Sequence, residues 1–126
     1  MIYGVGIDVL EIKRLKRVLI FSKKKKILNS LFTENEINYA KNKRGLENLA
    51  TTFTAKEALL KALKLNLCKK NYLREIEVKR SQSGQPQIFL LGSLAKKFSQ
   101  KKFKILLSLT STPETAIALV VIEKSG

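Results

Sequence analysis

Hydrophobic and polar residues alternate with a period of two along residues 2–10, around Gly4 and Gly6. This is the signature of a β-strand whose glycines mark a place where something packs closely on the backbone. The period changes over residues 11–21, where Leu10, Leu15, Val18, Leu19 and Ile20 are interleaved with Lys13, Arg14, Lys16 and Arg17. A basic amphipathic helix is predicted there, and the lysine run at 23–26 extends its positive patch. Thr33 followed by Glu36 forms a capping box and predicts a helix over 34–43, which Gly45 ends. Leu46, Leu49, Ala50, Phe53, Leu60 and Leu63 then recur at spacings of three and four around the stretch ENLATTFTAKEALLKALK, so a long helix over 47–64 should bury one side. Residues 65–74 are polar and irregular and read as a loop. Strands at 75–80 and 86–91 flank the turn SQSGQP and predict a hairpin. A short helix over 93–101, capped by Ser93, precedes a last apolar strand pair at 103–110 and 115–123, joined through Ser111-Thr112-Pro113-Glu114. With no repeat or linker, this order predicts one α+β domain over 1–126: a mainly antiparallel sheet, a long central helix and shorter helices.

Length and composition narrow the chemistry. A chain of 126 residues with 44% hydrophobic content buries enough surface to fold without a staple. Cys68 is the only cysteine, which rules out an internal disulfide and a thiolate metal cluster and suits a reducing compartment. It has no partner nearby and is assigned no role. The absence of histidine removes Ser-His and Cys-His nucleophile pairs and His-ligated zinc, leaving acid–base work to Asp, Glu, Lys or Tyr. The N-terminus has no basic-then-apolar leader, and no apolar run approaches the roughly 20 residues that span a bilayer. A soluble cytoplasmic protein is expected. A net charge of +15 points to an anionic partner, although lysine makes up 20 of the 25 basic residues, as codon bias in an AT-rich genome would also produce.

Within the central helix, Glu57 and Lys61 lie four apart and share a face. They form either an ordinary surface ion pair or half of a cation site, and the second reading needs another carboxylate from elsewhere. Asp8, the only aspartate in the chain, sits at a strand position that disfavours it. It either satisfies a neighbouring amide or lysine, or serves as a ligand.

The stretches GIDVLEI, LFTENEI, LATTFTAKEALLKAL, SGQPQI and LSLTSTPETAIALVVIE, in that order over nearly the whole chain, resemble bacterial holo-acyl carrier protein synthase, a phosphopantetheinyl transferase. The pairing of G-x-D with F-x-x-K-E-A-x-x-K-A some fifty residues later is the specific part. The resemblance implies the 4′-phosphopantetheinyl transferase fold and transfer of 4′-phosphopantetheine from coenzyme A to a serine of apo-acyl carrier protein, releasing 3′,5′-ADP. Asp8 and Glu57 are the implied Mg²⁺ ligands, the ion also binding the coenzyme diphosphate. Lys61 is then placed to neutralise the leaving oxygen, and Glu57, or a water beside it, to accept the serine proton. The resemblance assigns Arg44 to a coenzyme phosphate, Pro86 to the adenine border and Ser108, Thr110 and Ser111 to the final coenzyme motif. Arg14 faces the acidic helix of the carrier protein, with Lys13, Arg17 and Lys24 adding to the patch. A homotrimer with sites between subunits is also implied.

Three positions depart from the family pattern. Ser108-Leu109-Thr110-Ser111 ends in serine where the family has histidine, Thr51-Thr52-Phe53 replaces G-R-F, and Lys64-Leu65-Asn66 replaces G-T-G. Weaker coenzyme binding is expected, with Lys64 a partial compensation. Two rival readings follow: a degenerate relative that binds coenzyme or carrier protein without turnover, and a basic nucleic-acid-binding protein using residues 13–26. The second lacks interleaved aromatics and any nucleic-acid motif.

Overall fold

The structure is a computed structural model that describes residues 1–21, 24–42, 44–65 and 72–125, the side chains of Phe21 and Lys24 excepted. Strand β1 (Ile2–Glu11) leads into helices α1 (Ile12–Phe21), α2 (Lys24–Leu31), α3 (Glu34–Asn42) and α4 (Gly45–Ala62). A 3-10 turn at Leu73–Glu75 precedes β2 (Ile76–Arg80) and β3 (Pro86–Leu90), followed by α5 (Gly92–Lys97), β4 (Phe103–Ser111) and β5 (Thr115–Lys124). The strands form two antiparallel sheets, β1-β5-β4 and β2-β3, in an α+β architecture with α4 at its centre.

Helix α4 lies across the three-stranded sheet, and its contact with β1 explains both strand glycines. A Cβ on Gly4 would stand 1.9 Å from the carbonyl oxygen of Ala62, and one on Gly6 would stand 1.8 Å from that of Ala58. Only hydrogen fits at either position. The inner face of the sheet is completed by Ala116, Ala118, Val120 and Ile122, all fully buried against α4. The outer face is apolar and open: Val5, Ile7 and Val9 are 57%, 61% and 62% exposed, in register with Val121, Leu119 and Ile117.

Several sequence expectations are corrected. Helix α4 is buried on most sides rather than one, because the sheet, the hairpin and α3 surround it. Gly45 does not break the chain but is the first residue of α4; the turn is made by Arg44, left-handed at φ 36°. The lysine run at 23–26 leads into a helix, α2, that periodicity did not reveal. Helix α5 is shorter than expected and starts after Leu91, without a side-chain cap; the Ser93 amide and hydroxyl donate instead to Glu75 Oε1. Of the expected loop over 65–74, residues 66–71 lie outside the described residues, Cys68 among them.

The capping box at Thr33 forms as expected and grows into a buried network. Glu36 Oε1 accepts the Thr33 amide at 2.9 Å, and the Thr33 hydroxyl accepts the Glu36 amide at 3.3 Å. The other Glu36 oxygen accepts the Val78 amide at 2.7 Å, tying α3 to the hairpin. Lys56, with its side chain wholly inside, pairs with Glu36 Oε1 at 2.6 Å and donates to the carbonyls of Leu31 and Leu73 at 2.9 and 2.8 Å. All three ammonium protons are thus engaged, which makes a buried lysine tolerable.

Candidate functional site

The close packing of β1 on α4 sets Asp8 against the helix. Asp8 has the same strand parity as Gly4 and Gly6, so its side chain points to the inner face. Lys61, from the last turn of α4, donates to Asp8 Oδ1 at 3.0 Å and to the Ile7 carbonyl at 3.1 Å. The surface pair between Glu57 and Lys61 is therefore corrected: Lys61 reaches across to the strand, and among the described residues its ion pair is with Asp8. Glu57 is half-buried beside them. Burial first, and then the charge of Asp8, push its carboxyl above the ordinary value of 4.5, with Lys61 offsetting only part. Two carboxylates in mutual repulsion, one of them desolvated, make a site that gains from a cation.

Below Lys61 the helix closes with a Schellman motif. The Leu65 amide donates to the Leu60 carbonyl and the Lys64 amide to the Lys61 carbonyl, at 3.2 and 3.0 Å. Lys64 takes the left-handed position at φ 62°, the place usually given to glycine, so this backbone turn survives the loss of the family's glycine there. Its ammonium lies 4.5 Å from the centre of the Tyr3 ring.

A second group of expected residues gathers elsewhere. Pro86, Ser108, Thr110 and Ser111 line a cavity of about 350 Å³ together with Thr51 and Arg80. The Ser111 hydroxyl donates to Glu47 Oε1 at 2.7 Å, and Glu47 Oε2 lies 3.9 Å from the guanidinium of Arg44, whose side chain is 83% exposed. Ser108 and Thr110 instead point to the outer face, opposite Leu119 and Ile117. The two groups do not meet within one chain: Asp8 is on one edge strand and the 108–111 segment on the other, two strand spacings or about 10 Å apart.

Lys13, Arg14 and Arg17 are exposed on α1, while its Ile12, Leu15 and Leu19 are buried. Lys24 opens α2, and its side chain lies outside the described residues. Sequence reasoning missed Arg80 and the buried role of Lys56. The signal for Lys56 was a lysine inside the apolar run of α4, one helix after a capping-box glutamate in need of a cation.

A site of paired carboxylate and ammonium groups, set where a helix crosses an antiparallel sheet, has the chemistry to hold a cation and an anionic, phosphate-bearing ligand together, as the class of phosphoryl-group transferases does. The chain matches the family described as the 4′-phosphopantetheinyl transferase superfamily over residues 4–120. It is 39% identical over its whole length to a holo-[acyl-carrier-protein] synthase of Leptothrix cholodnii, covering 99% of that protein. Among solved structures, a holo-(acyl-carrier-protein) synthase of Bacillus anthracis, in complex with CoA (3′,5′-ADP), superposes with a TM-score of 0.79 at 32% identity, covering 100% of this chain and 99% of that one. The Neisseria meningitidis synthase gives 0.86 at 28% identity, covering 98% and 100%. The chain belongs to the 4′-phosphopantetheinyl transferase superfamily, as an enzyme of the acyl carrier protein synthase type. Among the described residues no helix is long and apolar enough to cross a membrane.

Proposed function

We infer that this enzyme moves the 4′-phosphopantetheine arm of coenzyme A onto a serine of apo-acyl carrier protein in a Mg²⁺-dependent reaction, releasing 3′,5′-ADP. The observation that carries the reading is the convergence of the sole aspartate, Asp8, with Glu57 and Lys61 across the β1–α4 contact. Among the described residues no group of three His, Cys, Asp or Glu side chains is present. Two carboxylates suit Mg²⁺, which takes few protein ligands and fills its shell with water and substrate phosphate. Asp8 and Glu57 would hold the ion, and bound there it would offset charge on the transferring phosphoryl group.

The serine Oγ forms a bond to the β-phosphorus while the bond from that phosphorus to the bridging oxygen breaks. Glu57, or a water beside it, accepts the serine proton. Lys61 brings an ammonium group to the departing diphosphate oxygen of 3′,5′-ADP. Arg44, Lys64, Pro86, Ser108, Thr110 and Ser111 form the coenzyme surface. Because the Asp8 group and the 108–111 group stand on opposite edges of the sheet, a site that uses both is completed between subunits, and the family resemblance makes that assembly a homotrimer. The open apolar face around Val5, Ile7 and Val9 gives such a trimer its contact. Lys13, Arg14, Arg17 and Lys24 attract the acidic carrier protein by long-range charge. The 126 residues act as a single domain in the cytoplasm.

Mass spectrometry of an apo-acyl carrier protein incubated with this enzyme, coenzyme A and Mg²⁺ tests the reading. A gain of one phosphopantetheine, lost with EDTA and with Glu57→Gln, is expected. The alternative is a relative that binds coenzyme without transfer; the replacement of the family's histidine by Ser111, its hydroxyl committed to Glu47, favours it. No mass gain with coenzyme still bound would establish that alternative.

A further inference from the structure

Arg80, the last residue of β2, reaches out of the hairpin toward α4. Its guanidinium donates to the hydroxyls of Thr51 at 2.8 Å and Thr52 at 3.3 Å, and lies 5.3 Å from the centre of the Tyr39 ring. Two hydroxyls and an aromatic face fix its plane, yet all three are uncharged. Among the described residues no carboxylate lies within 4.0 Å of it, although the side chain is half-buried. Of the five N–H donors an arginine carries, two are used and three remain among the described residues.

Burying a charge is costly unless it is paired; Arg80 is held by neutral groups, and Glu36, the carboxylate whose charge reaches it, is already paired with Lys56. Among the described residues it is also the only charged one lining the cavity of about 350 Å³ between the hairpin and β4, where Ser108, Thr110 and Ser111 contribute no charge. A planar, pre-positioned guanidinium with free donors facing a cavity is the arrangement that takes up a phosphate in a forked pair. Resting on the transferase reading, we propose that Arg80 binds a phosphate group of coenzyme A in this cavity. Thr51 and Thr52 stand where the family pattern has glycine and arginine, and here a guanidinium arrives at the same two residues from the hairpin instead. The charge expected to be missing has been supplied from another element, and the threonines have become its supports.

The test compares the parent enzyme with Arg80→Gln and Arg80→Lys, measuring calorimetric binding of coenzyme A and of 3′-dephospho-coenzyme A alongside transfer kinetics. Loss of a charge-assisted fork is expected to raise the Kd and KM for coenzyme A by about tenfold to a hundredfold in Arg80→Gln, and less in Arg80→Lys. The KM for carrier protein and kcat should change far less, which a general loss of structure would not produce. A loss confined to coenzyme A assigns the 3′-phosphate; an equal loss for both ligands assigns the diphosphate; either supports the proposal. Unchanged affinity for both ligands in a folded Arg80→Gln enzyme overturns it. A parent that transfers normally while Arg80→Gln matches it would sink this assignment alone. A parent whose coenzyme binding depends on Arg80 but which transfers nothing would sink only the transferase reading.

Discussion

Gly6→Ala is the substitution that most directly tests how this site is built. Gly6 belongs to the G-x-D motif, and its backbone lies directly on the Ala58 carbonyl, where an added methyl would sit at 1.8 Å. Real methyl contacts essentially never fall below 3.0 Å, so strand and helix must part by more than 1 Å. The obstacle is helix backbone, which has no rotamer by which to yield. Overpacking a dense core costs about 1–3 kcal/mol where neighbours adjust, and this position belongs at the upper end. For a chain of this length about 3 kcal/mol lowers the Tm by roughly 10–15 °C.

Function should suffer more than stability. Asp8 is two residues along the same strand face, so parting β1 from α4 carries it away from Lys61 and Glu57. A misplacement of about 1 Å at a reacting centre costs on the order of a hundredfold in rate. The measurement pairs a thermal melt with transfer rate at a temperature where the variant is fully folded. Gly84→Ala serves as a comparison, since nothing lies within 4 Å of its added methyl and only the strain of φ 86° is incurred. A Gly6→Ala enzyme that melts within a few degrees of the parent and keeps its rate would refute the account of the β1–α4 contact.

Glu57→Gln should make the metal-free protein more stable at neutral pH while abolishing transfer: the folded Glu57 carboxyl binds its proton more tightly than the unfolded one, so its contribution is present below pH 4.5 and lost as pH rises through the raised folded value. In EDTA the Tm gap between variant and parent should therefore open as pH rises from 4.5, and Mg²⁺ should raise the Tm of the parent only; a constant gap would contradict the shift. Lys56→Met leaves Glu36 buried without its cation and should cost about 3–5 kcal/mol by denaturant unfolding, with a loss under 1 kcal/mol arguing against the network. Ile7→Lys puts a charge in the middle of the open sheet face, so light scattering should show a parent near 43 kDa, three chains of 14.3 kDa, and a variant near 14.3 kDa. Equal masses would remove that face from the interface.

Element positions were legible wherever one local rule decided them. The capping box at Thr33 and Glu36 fixed the start of α3, and the alternation around Gly4 and Gly6 gave both β1 and its close neighbour. Failures fell where tertiary contacts outweighed local preference. Helix α2 carries three lysines in its first turn and only Ile27, Leu28 and Leu31 to hold it, so its apolar face was too short to read. Ser93 looked like a cap because serine so often is one, but Glu75, eighteen residues earlier, captures both its amide and its hydroxyl. Arg80 gave no signal at all, because its importance comes from Thr51 and Thr52 on another element.

Why G-x-G-x-D and K-E-A-x-x-K-A work as one device follows from the rise of strand against helix. Gly4 packs on Ala62 and Gly6 on Ala58, so two strand residues match four helix residues, about 6.6 Å against 6.0 Å. The strand therefore runs antiparallel to α4 with nearly matched pitch. The next residue of the same parity is Asp8, which falls one more turn toward the start of the helix. Glu57 lies within that turn, on the helix edge adjoining the strand, and Lys61 one turn beyond can stretch back to Asp8. Lys56, about 100° round from Glu57, faces inward instead and locks the helix through Glu36. Neighbouring residues of one dipeptide thus serve opposite ends: Lys56 fixes where α4 sits, and Glu57 uses that fixed position to meet a carboxylate arriving from the strand.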